Sequence, residues 1–132
     1  MKLLSNYPTE VLILLFLSIT YFISAYEKIT DWTGNVSFIK AHFKNSPLKN
    51  KVPFLLSIVL IVESIAVLFM IIGIFQLYTS EVKEIASFGL ELSAVTLLFL
   101  LIGQRLAKDY PGAMSLTVYF TLTVFGIYLL NK

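Results

Sequence analysis

Four stretches of roughly twenty mostly apolar residues, at about 8–26, 53–78, 85–105 and 111–130, leave this chain little choice of fold. Each is long enough to cross the ~30 Å hydrocarbon core of a bilayer as one helix, and together they take up most of the 132 residues. Pro8, Pro53 and Pro111 stand at the first turns, where a missing N–H breaks no helical hydrogen bond. The first stretch could pass for a secretion signal. Pro8 and Glu10 replace the basic leader such a signal needs, and no small-x-small cleavage site follows, so the span is expected to be retained.

Composition points the same way. The chain is 58% hydrophobic and 14% charged, whereas soluble domains average about 45–50% and about 25%. One soluble core of this length could not hide so much apolar surface, so the expected fold is all-α, an integral membrane antiparallel four-helix bundle in one membrane domain. A net charge of +2 does not suggest nucleic acid. Cys is absent and His42 is the single histidine, which removes disulfides, thiolate metal sites and any paired-His site.

The connections are unequal. Residues 79–84 and 106–110 can only be tight turns, which makes the spans they join antiparallel neighbours. Residues 27–52 form one long loop, in which Val36, Ile39 and Phe43 recur at helical spacing with Lys40 and Lys44 on another face. That pattern predicts a short amphipathic helix on the membrane surface, anchored by Trp32, Phe38 and Phe43. Lys28, Lys40, Lys44, Lys49, Lys51, Arg105 and Lys108 fall on the long-loop side, and only Lys2, Lys83 and Lys132 on the other. Seven bases against three predict a cytoplasmic long loop with both termini outside.

Two carboxylates fall within spans. An ionised carboxylate at the bilayer centre costs at least ~2.5–3.5 kcal/mol, so each is a functional candidate. Glu63 lies ten residues after Pro53, about 15 Å from the long-loop side, and Glu91 lies six after Ile85, about 9 Å from the opposite side. Their depths then differ by only about 6 Å, close enough to meet if both face inward. Tyr21 and Thr121 fall near the Glu63 level and complete the expected intramembrane polar site. No base lies at that depth. Lys28, Arg105 and Lys108 form a basic cluster at the long-loop side, with a reach of a few ångströms inward. Glu63 is therefore expected to lack an ionic partner, to be protonated and to donate a hydrogen bond. Gly89, Ser93, Thr96 and Gly103 form a small-residue stripe suited to close helix packing.

The segment YFISAYEKITDW at 21–32 closes the first span on small residues and a base, and ESIAVLFMIIG at 63–73 sets a glutamate ten residues before a glycine. In these features, and in the order of four spans around a long first loop, the chain resembles the DoxX-like (DoxX/MauE-type) membrane proteins. Lys28, Glu63 and Gly73 occupy the matching positions, and GQRLAKDYPGA at 103–113 is similar to bacterial members. The resemblance implies a small four-helix bundle of the bacterial cytoplasmic membrane. It also implies a link to quinone-coupled oxidation of sulfur compounds or to redox maturation. The chain departs from redox-active relatives in lacking every Cys, which argues against direct thiol chemistry.

Three functions follow as expectations. The first is a non-catalytic accessory subunit that binds other membrane proteins, with Glu63 as the assembly contact. The second is a subunit of a quinone-linked oxidoreductase, with Glu63 and Tyr21 hydrogen-bonding the quinone, the one cofactor in view. The third is a small proton- or solute-conducting protein using Glu63 and Glu91 as a relay. No complete catalytic set is present, so the chain is not expected to be catalytic alone.

Overall fold

The structure, a computed structural model, describes residues 6–132. Lys2, counted above among the bases opposite the long loop, lies outside them. The described residues form five helices: α1 (Pro8–Thr30), α2 (Trp32–His42), α3 (Val52–Thr79), α4 (Glu84–Leu106) and α5 (Tyr110–Leu130). Four of them, α1, α3, α4 and α5, are long and apolar enough to cross a membrane.

The prolines sit as expected, in the first turns of α1, α3 and α5. Two aspartates cap helix starts, one of them on the proline-led α5. Asp31 accepts from the Gly34 N–H at the head of α2, and Asp109 accepts from the Gly112 N–H at the head of α5. Such caps satisfy donors that a helix start leaves open, each contributing about 1 kcal/mol. Lys108, at φ 60°, takes the left-handed position that turns α4 into α5. α1 ends four residues beyond the predicted Tyr26, because nothing before Asp31 breaks the helix.

α3 packs most extensively on α4, which also packs on α5, while α1 lies against α3 and α5. The centre is filled by Leu14, Leu17, Met70, Leu77, Leu90 and Leu97, all essentially inaccessible. α3 and α4 approach backbone to backbone. A Cβ on Gly73 would stand 2.4 Å from the Ala86 Cα, and one on Gly89 would meet Met70 N at 2.9 Å. Small residues at a crossing let main chains approach this closely. Gly89, Ser93 and Thr96 belong to the inner face of α4, as the small-residue stripe predicted, but Gly103 faces the Phe43 ring instead.

α2 covers the span of the predicted surface helix, and none of its residues is fully buried. Val36, Ile39 and Phe43 are half-buried, whereas Lys40 and Lys44 are exposed. Of the three expected anchors, Phe38 is exposed and stacks on His42, with ring centroids 5.5 Å apart. Trp32 is half-buried. Phe43 serves the protein rather than the membrane surface, because its ring lies against Gly103 of α4.

His42 at the end of α2 meets Asp109 at the head of α5, 2.9 Å apart. The hydrogen bond from His42, and then the Gly112 N–H, hold the Asp109 carboxyl below its ordinary range. A carboxyl lowered in the fold adds stability above its unfolded value of about 3.9, and that share is lost as pH falls through the lower folded value. Docking of α2, followed by the fluorescence of Trp32, is therefore expected to hold from neutral pH to about pH 4 and to loosen below it. Asp109→Asn keeps a capping oxygen but removes this acid-side transition. An identical acid transition in the variant would assign it to another group.

Candidate functional site

Three helices build a polar site around Glu63, which is 2% exposed on the inner face of α3. α1 supplies Tyr21, Ser24 and Lys28, spaced by three and four so that they share one side of the helix. The Lys28 ammonium donates to Ser24 Oγ at 2.5 Å and lies 3.4 Å from Glu63 Oε1. Ser24 Oγ also neighbours the Glu63 carboxyl. Tyr21, 4% exposed, sends its hydroxyl across to the Ser93 carbonyl of α4 at 3.4 Å. Ser93 Oγ bonds back to the Gly89 carbonyl at 3.0 Å. The polar groups thus form two short sets, Lys28 with Ser24 and Glu63 between α1 and α3, and Tyr21 with Ser93 between α1 and α4.

The expectation that Glu63 lacks a cation is overturned: the Lys28 ammonium lies 3.4 Å from its carboxyl. The reason lies in side-chain direction. Helical side chains lean toward their own N-terminus. The Lys28 stem therefore runs back along α1 to Ser24, deeper than a stem snorkelling outward would lie. The ammonium keeps partial access to the surface, with its side chain 13% exposed against 3% for Glu63.

Glu91 and Thr121 do not join this site. Glu91 is exposed on α4, two residues from Ser93 and so about 160° around the helix from it. Its depth is near that of Glu63, but its direction is outward. Thr121 is exposed on α5, where its hydroxyl bonds back to the Thr117 carbonyl at 2.9 Å. It lines an open outer groove with Phe16 and Phe125. The buried threonine of α5 is Thr123, whose hydroxyl is returned to its own helix at Tyr119.

The basic cluster is likewise divided. Lys28 turns inward, the Arg105 guanidinium lies 5.4 Å above the Tyr110 ring, and Lys108 is exposed at the turn. Two participants were missed by reading residue types alone. Ser24 carried a signal, its i, i+4 spacing to Lys28 on the side of Tyr21. The Ser93 carbonyl carried none, because a backbone acceptor is the same at every residue.

Chemically, the two sets tie α1 to α3 and to α4, while Ser18 Oγ, one turn from Tyr21 on α1, is buried without a hydrogen-bond partner. Beyond Tyr21 and Ser93 the interior is filled by Leu14, Leu17, Met70 and Leu90. Among the described residues no hydrogen bond carries these sets on to the other end of the bundle. Glu63 and Tyr21 each hold a partner inside the fold. Compared with protein-family models, with curated proteins and with solved structures, the chain matches none.

Proposed function

We propose that this chain is a multi-pass protein of the bacterial cytoplasmic membrane, a DoxX-like antiparallel four-helix bundle. Its role in this reading is that of a non-catalytic accessory subunit that binds other membrane proteins. The observation that carries the reading is Glu91, a carboxylate exposed on the apolar outer face of a spanning helix. Such a group is expensive in lipid and needs a partner. The assembly contact thus moves outward, from Glu63, which the fold satisfies internally, to Glu91, which it does not.

The short links 80–83 and 107–109 between packed helices support the antiparallel arrangement. The wide girdle of exposed Phe, Leu and Ile side chains supports insertion in lipid. The seven-to-three excess of bases supports a cytoplasmic long loop and α2, with both termini outside.

Purification from native membranes in a mild detergent, followed by mass spectrometry of the intact assembly, tests the role. A second membrane protein in fixed stoichiometry is expected. A chain that purifies alone, at the mass of a monomer, would rule the role out.

A further inference from the structure

Glu91 stands in a stripe of outward side chains on α4, with Phe88, Val95, Leu98 and Ile102 at spacings of three and four. All of these apolar neighbours are about half exposed, and they lie on the side of α4 opposite Ser93. Among the described residues Glu91 makes no hydrogen bond and no ion pair. It is seven residues from Glu84 at the start of α4, about 10 Å along the helix. Leaning toward the helix N-terminus recovers only a few ångströms of that depth for so short a side chain. The carboxylate is thus held below the surface on a face that α3 and α5 leave open.

We infer that this face of α4 docks a single spanning helix of a partner protein that carries a Lys or Arg at the depth of Glu91. The inference rests on the accessory-subunit reading and specifies the chemistry of its partner. Charge complementarity selects the occupant. A second copy of this chain, inserted the same way up, would bring Glu91 against Glu91 and set no cation opposite either carboxyl. Among the described residues no cation is placed for the purpose. Lys28 is turned into the bundle, Lys83 lies over the Tyr7 ring, and Lys132 stands at the chain end. Aliphatic and aromatic residues on either side of Glu91 would pack along the incoming helix, and the cation would fix its register.

The test uses the full chain in lipid vesicles with fluorescent spanning peptides of leucine and alanine. One peptide carries a single Lys about 10 Å from the matching end, and its control carries Leu there. Energy transfer reads association. The unaltered chain is expected to bind the Lys peptide about tenfold more tightly than the Leu peptide. Glu91→Leu and Glu91→Gln are expected to abolish that preference, and Glu91→Lys to transfer it to a peptide carrying Glu. Glu91 is exposed and holds no partner inside the bundle, so these variants are expected to keep the fold. Equal binding of both peptides by the unaltered chain, or a preference that persists in Glu91→Leu, would overturn the inference. So would energy transfer between copies that disappears in Glu91→Leu, which would assign the face to a second copy. A native partner that still copurifies with Glu91→Leu would defeat this inference and leave the accessory role standing. A preference for Lys in a chain that purifies alone from native membranes would do the reverse.

Discussion

Lys28→Leu is expected to destabilise the bundle by about 3 kcal/mol, the low end of the range for breaking a buried ion pair. The loss comes mainly from what remains. Glu63, 2% exposed, keeps Ser24 but loses its cation, and the space around it admits little water. The low end applies because the Lys28 side chain keeps 13% of its exposure and already lies near the surface. Adding Glu63→Leu to Lys28→Leu removes the stranded carboxyl. The double variant is therefore expected to regain most of the loss, since apolar side chains of similar volume can replace a buried pair without net cost. Reversible unfolding in mixed micelles, run as a double-mutant cycle, measures both effects. A Lys28→Leu variant within about 0.5 kcal/mol of the parent would mean that the pair contributes nothing to the fold.

Gly73→Val is expected to act as strongly by a different route. Its first added atom would stand 2.4 Å from the Ala86 Cα, and backbone cannot rotate aside as a side chain can. α3 and α4 would have to separate, and this is the most extensive helix contact in the bundle. Overpacking typically costs about 1–3 kcal/mol, and the upper end is expected where the obstruction is main chain. The same unfolding assay reads it. Energy transfer between labels at the two ends of the α3–α4 pair would show the helices moving apart. A variant as stable as the parent would show that the crossing can open freely. Removing Ala86's own methyl by Ala86→Gly should not rescue the variant, because the clash is with Cα.

Side-chain direction is where reading the residues in order went furthest wrong, and Glu91 shows why. Its depth follows from counting residues along a helix of known rise. Its direction follows from the same count around the helix. The inner stripe of Gly89, Ser93 and Thr96 already placed Glu91 on the opposite face. Lys28 is a harder case. Its pairing depends on α1 continuing to Thr30 and on a stem leaning back to Ser24. Neither is visible until the neighbouring helix stands beside it. The His42–Asp109 contact is less legible still, joining residues 67 apart from the end of α2 to the head of α5.

The amino-acid order alone determined four apolar helices, their starts at Pro8, Pro53 and Pro111, and a fifth helix in the long first loop. These are local properties, set by hydrophobic length, periodicity and the backbone of proline. Only the tertiary structure decided which polar groups meet. It turned Lys28, Ser24 and Tyr21 of α1 toward Glu63 and Ser93, and it left Glu91 facing out. The physical reason is that a helix fixes the angle of every side chain relative to its own axis, while the rotation of that axis is set by packing. Here α3 and α4 approach most closely at Gly73 and Ala86, and that packing holds Glu63 inside and leaves Glu91 facing out.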